Sequence, residues 1–189
     1  MADRRARLND ASAAAPSTPR WTARRCLSWV AVTVALLLVA SVAGLLPVQV
    51  MRVSSGSMTP TIAVGDLLVV DRWHSRIERQ DVVVAEHPQT GELLVKRVVG
   101  LGGDQVAIED GVLVVDGRTV CEPAIDPARQ DGVYFGPVTV PDGEVFLLGD
   151  DRADSIDSRD FGPVRVADVD GHVSARVWPS PGRLPADSC

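Results

Sequence analysis

From Cys26 to Met51 the chain carries no charged residue. That run constrains the rest of the chain, because its core, Trp29 to Pro47, is long enough as a helix to cross about 30 Å of hydrocarbon. Six arginines (4, 5, 7, 20, 24 and 25) precede it, against only Asp3 and Asp10. Positive charge flanking an apolar run stays on the cytoplasmic side, so the bulk of the chain is expected outside. The sequence predicts a disordered basic cytoplasmic tail over 1–25 and a transmembrane helix over 26–48, closed by Pro47. An extracytoplasmic domain over 49–178 and a disordered tail over 179–189 follow. A cleaved signal peptide is the competing reading, with Ser41-Val42-Ala43 before Gly44 as its cleavage site, although the apolar run is long for one.

Beyond Arg52 the pattern changes to short apolar runs broken by Gly, Asp and Pro. Leu67–Val70, Val82–Ala85, Leu93–Val95 running into Val98–Val99, Val112–Val115, Val145–Leu148 and His172–Trp178 all read as strands. His87-Pro88-Gln89-Thr90-Gly91 is expected to turn one strand back on the next, and Asp110-Gly111 and Asp116-Gly117 are hairpin signals. No stretch of this part holds a helical period, so the domain is predicted to be mainly β, with 121–143 rich in loops. From Cys26 onward 13 bases face 23 acids, which excludes the basic face that nucleic-acid binding requires. Neither the three cysteines (26, 121, 189) nor the three histidines (74, 87, 172) show metal-ligand spacing, and no metal or cofactor is expected. Unpaired thiols are the expected state, with a Cys121–Cys189 disulfide the alternative in an oxidising compartment.

Two features suggest chemistry. Of the 19 basic residues, 18 are arginine and one is lysine, Lys96. Arginine stays charged in proteins, whereas a buried lysine can lose its proton and act as a base. Lys96 sits in the apolar strand Leu93-Leu94-Val95-Lys96-Arg97-Val98-Val99, on the face of Leu94 and Val98. The second feature is Val53-Ser54-Ser55-Gly56-Ser57-Met58-Thr59-Pro60-Thr61, a small-residue turn in which Ser57 is a candidate nucleophile. Ser55, two residues earlier on an extended segment, falls on the same side and can donate its hydroxyl to an oxyanion beside the Ser57 N–H. On residues alone each feature has an ordinary alternative: a plain loop for the serines, and a half-buried strand residue with its head in water for the lysine.

Four boxes in order resemble those of bacterial type I signal peptidases. They are Ser55-Gly56-Ser57-Met58-Thr59-Pro60-Thr61 with Gly65-Asp66; Lys96 through Asp104; Gly149-Asp150-Asp151-Arg152 with Ser155; and Asp157-Ser158-Arg159 with Gly162-Pro163-Val164. The resemblance implies a membrane-bound Ser/Lys endopeptidase with the β fold shared by self-cleaving repressors. Its partners would be the lipid bilayer and signal-peptide-bearing preproteins, cut after small residues of Ala-x-Ala type. It implies Ser57 as nucleophile, Lys96 as general base, Ser55 with Ser57 at the oxyanion, and Ser155 orienting the lysine. Arg97, Asp150, Asp157 and Arg159 match charged residues that brace the site, although as surface ion pairs they would contribute little. Asp151 stands where the family usually has Asn, and the short interval between the lysine and Gly149 boxes implies a small accessory β region. A catalytically inactive peptide-binding β module is the alternative function, and a self-cleaving peptidase of the repressor type is a third.

Overall fold

The computed structural model describes residues 20–42, 47–73, 76–123, 125 and 134–184. Residues up to Val42 and those from Ala43 onward form two separate units. The first contains helix α1, Arg20–Val42. It starts six residues before the predicted span, taking in 20–25 from the expected tail. It stops before Pro47, and the next described element is a strand, so Val48 does not belong to a helix. Within α1 the uncharged part, 26–42, is about 25 Å long, short of the roughly 30 Å of a bilayer core. Among the described residues no helix is long and apolar enough to cross a membrane. The rest of the expected basic tail, the Ala43–Gly44 junction and Cys189 lie outside the described residues.

The second unit is mainly antiparallel β. Its larger sheet joins β1 (Val48–Arg52), β2 (Leu67–Asp71), β11 (Val169–Trp178), β3 (Val82–Glu86), β4 (Leu93–Leu101), β9 (Glu144–Leu148) and β10 (Val164–Arg165), in that order. A smaller sheet joins β7 (Arg118–Thr119), β6 (Val112–Val115), β5 (Gln105–Glu109) and β8 (Phe135–Thr139). A short helix, α2 (Ser158–Phe161), follows β9. The hairpins form where the sequence predicts them. Asp110 and Gly111 both have positive φ, as do Asp116 and Gly117, which matches the tight turns that Asp-Gly favours. The predicted strands are all present; β1, β5, β7, β8 and β10 were not predicted, and β8 falls inside the expected loop.

The continuous apolar runs follow from burial on both faces. Val82 and Val84 of β3 join a cluster with Val53, Met58, Ile62, Leu68, Val70 and Val173, while Val83 and Ala85 face a second with Val98, Val145, Leu147 and Val164. Phe146 and Leu148, on the other side of β9, pack with Val99 against Val106, Ile108, Leu113 and Val115 of the smaller sheet. A strand buried on both faces has no polar side to alternate with, and each such Val or Leu contributes about 1.5–3 kcal/mol. The chain past Trp178 is not loose throughout: Gly182 bridges to Arg176, and Leu184 packs against the first cluster. Cys121 carries a disulfide whose partner lies outside the described residues, so unpaired thiols do not describe this chain, although Cys26 is free.

Candidate active site

The loop between β1 and β2 carries Ser57, and its neighbours hold it in place. Met58 and Ile62 are fully buried in the first cluster, so the residue after Ser57 acts as an apolar plug. A turn closes from Thr59 N to Gly56 O (2.9 Å), and the loop ends meet through Val53 N to Asp66 O (2.9 Å). Arg176 of β11 donates to Thr61 O (3.2 Å) and to the Asp66 carboxylate (3.3 Å). Ser57 itself stays half-buried at the edge of this plugged loop, with the Ser55 hydroxyl 3.4 Å from its own. The sequence reading put these two hydroxyls on one side; Met58 as the anchor was missed, because a lone methionine in a polar turn gives no periodic signal.

Lys96 approaches from the middle of β4. Val98 and Val95 pack into different clusters, as strand alternation requires, and the lysine is only 3% exposed. Its Nζ lies 2.7 Å from Ser57 Oγ and 3.0 Å from Ser155 Oγ. Burial pushes the amine below its ordinary pKa; the Asp157 carboxylate opposes that shift and the Arg159 guanidinium adds to it. Desolvation penalises the ammonium more than the free amine, so the neutral form is favoured here relative to an exposed lysine. The two described histidines are placed elsewhere, His87 against Phe161 and His172 against Asp81.

The segment after β9 shapes the far side of the site. Gly149 packs so closely that a Cβ there would lie 2.2 Å from Ser155 Oγ and 2.6 Å from Ser57 O. Asp151 N donates to Ser57 O at 3.0 Å. Asp157, fully buried, caps α2, and its carboxylate accepts from Gly149 N (3.0 Å) and from Arg159 Nε (2.9 Å). Arg97 and Asp150 form a two-pronged pair at 2.8 and 2.7 Å and are 1% and 0% exposed. The Arg97–Asp150 pair is therefore buried and not on the surface, because β4 pairs with β9 in the sheet interior and Asp150 lies just beyond β9; in the Asp157–Arg159 pair the arginine side chain is 14% exposed. Gly149 was quoted in a motif but given no role; one sequence cannot show that a glycine is required for want of space.

A serine-bearing turn, a buried lysine of lowered pKa on that serine's hydroxyl and a second hydroxyl on the lysine, set in an antiparallel β domain, have the arrangement that a serine peptidase with a lysine base requires. The chain's relatives narrow that class. The sequence pattern of signal peptidases, peptidase S26, matches residues 26–178, and the chain belongs to that family. It is 39% identical over 142 residues to Signal peptidase I of Bacillus caldolyticus, covering 67% of this chain and 78% of that one. It is 32% identical over 166 residues to Signal peptidase I of Streptococcus pneumoniae serotype 4, covering 68% and 81%. A solved signal peptidase I from Enterococcus faecalis V583 is 30% identical, covering 52% of this chain and 97% of that one with a TM-score of 0.47.

Proposed function

We propose that this chain removes signal peptides from exported preproteins, cutting after small residues, with Ser57 as nucleophile and Lys96 as general base. The observation that carries it is the 2.7 Å approach of a buried amine of lowered pKa to a serine hydroxyl. Neutral Nζ takes the Ser57 proton as Oγ attacks the scissile carbonyl. The oxyanion is held by the Ser57 N–H and the Ser55 hydroxyl. The ammonium then gives its proton to the leaving amine of the mature protein, and an ester to Ser57 remains. Water, deprotonated by the same amine, attacks the ester; the signal peptide leaves as a carboxylate and Oγ recovers its proton. Ser155 keeps Nζ on the Ser57 hydroxyl, while Arg97, Asp150, Asp157 and Arg159 fix the segments that carry the lysine and Ser155.

The membrane anchor belongs to the same proposal. Its support is the uncharged run to Met51 with arginines on its N-terminal flank, together with the outward apolar surface of α1, where Leu27 and Trp29 are 71% and 72% exposed. So large an apolar surface calls for a covering, and lipid fits the uncharged part from Cys26 onward. The tail before it would lie in the cytoplasm and the β domain outside. A preprotein held in the same bilayer is met at a raised effective concentration.

The test is cleavage in trans. The full chain in detergent is mixed with a purified preprotein carrying one Ala-x-Ala site, and the new N-terminus is mapped. A single cut after the second Ala is expected. Tight binding without any cut would reject the peptidase in favour of a peptide-binding module.

A further inference from the structure

Two buried charges play no part in the chemistry above. Arg152 is 2% exposed, and the Glu122 side chain that pairs with its Nη2 is 6% exposed. Burying a guanidinium and a carboxylate is costly unless they are matched, so a pair kept this deep calls for an account. Arg152 lies in the segment that carries Gly149, Asp151 and Ser155, and its Nε donates to Gly149 O at 2.9 Å. Its Nη1 has no hydrogen-bond partner among the described residues, so Glu122 is the carboxylate recorded on this guanidinium. Glu122 comes from outside that segment, and its backbone is held: Ile125 N donates to Glu122 O at 3.0 Å, and the preceding residue, Cys121, is disulfide-bonded.

These contacts have one geometric consequence. The 149–155 segment leaves β9 and reaches Asp157, the cap of α2, and on the way must present Ser155 Oγ to Lys96 Nζ. Gly149, at its start, touches both Ser155 and the Ser57 carbonyl. Fixing the Gly149 carbonyl therefore fixes the surface on which Ser155 rests. We infer that Glu122 and Arg152 are positioning residues: Glu122 holds Arg152, Arg152 holds Gly149, and Gly149 sets the orientation of Ser155 on the catalytic lysine. This rests on the peptidase reading above. The pair touches neither the substrate carbonyl nor the reacting atoms, so its loss appears in turnover and not in substrate binding.

The test uses the full chain in detergent and a cleavable preprotein. The variants are Glu122→Gln and the double variant Glu122→Gln, Arg152→Met. The double variant leaves no lone buried charge and so keeps the fold measurable if the single variant does not fold. Each is made in the wild-type and Ser155→Ala backgrounds, with thermal melting alongside. The expected result is a kcat lower by about tenfold or more with KM within about twofold, and no further loss once Ser155 is Ala. Wild-type kcat in the folded double variant, a loss confined to KM, or the same fold-loss in the Ser155→Ala background would overturn the inference. A wild-type protein that does not cut, or a Ser57→Ala protein that does, would overturn the peptidase reading and this inference with it.

Discussion

Replacing Gly149 by alanine tests the packing of the site at its tightest point. The backbone there is outside the left-handed region, so alanine brings no conformational strain of its own and any effect comes from the added methyl. That methyl would lie 2.2 Å from Ser155 Oγ, 2.6 Å from Ser155 Cβ and 2.6 Å from Ser57 O. One of these neighbours is a backbone carbonyl and another is a Cβ, so turning a hydroxyl aside does not relieve the crowding. Ordinary contact requires a shift of about 1 Å, and a catalytic group displaced that far costs on the order of 100-fold in rate, or about 2.7 kcal/mol of barrier. Overpacking destabilises by about 1–3 kcal/mol, less than the total stability of a typical domain, so the variant should remain folded. The assay is kcat for preprotein cleavage, with calorimetric melting as the control for folding. Wild-type turnover in a folded Gly149→Ala protein would refute the claim that Ser57 and Ser155 are held against this residue.

Four further outcomes follow from the same structure. Asp150→Asn strips the two-pronged carboxylate from the buried Arg97 and should cost about 3–5 kcal/mol, read as a lower denaturant midpoint. Because Lys96 must be neutral to act and burial lowers its pKa from 10.5, activity should rise with pH through a midpoint below 10.5. Stability should rise with pH in the window from that lowered pKa up to 10.5, where the unfolded chain binds the proton that the folded one has lost. A Lys96→Met protein should lose this rise in denaturation measured across pH. Thiol labelling of the denatured, unreduced chain should mark Cys26 and leave Cys121 unlabelled; modification of Cys121 would contradict its disulfide.

The parts of this molecule that were legible in sequence are those with a local signal. Runs such as Val82–Ala85 and Val112–Val115 read as strands because they are short, rich in β-branched residues and bounded by turn residues. Asp110-Gly111 and Asp116-Gly117 announced their hairpins by backbone preference alone. Of the five strands that escaped notice, β7 and β10 have two residues each, β8 carries Gly136 and Pro137 inside it, β1 overlaps the end of the uncharged run, and β5 places only Val-Ala-Ile between polar ends. Lys96 stood out because it is the chain's one lysine, and Ser57 because its turn matches a family box. What stayed hidden depends on long-range contact. The depth of the Arg97–Asp150 pair depends on the register of β4 against β9, the need for Gly149 on how near Ser155 and Ser57 come, and the role of Glu122 on a partner 30 residues away. The extent of the apolar helix was misjudged because charge pattern sets where a helix can sit in lipid, whereas hydrogen bonding and local geometry set where it starts and stops.

The most direct test of the Ser57–Lys96 pair compares wild type, Ser57→Ala and Lys96→Arg in cleavage of one preprotein, with binding of the same preprotein measured in parallel. A serine–lysine pair of this kind requires that wild type cuts and that both variants bind but do not cut, since arginine keeps the charge and cannot take the serine proton. Cleavage at the wild-type rate by Lys96→Arg would contradict it, because the amine would then have no need to lose its proton.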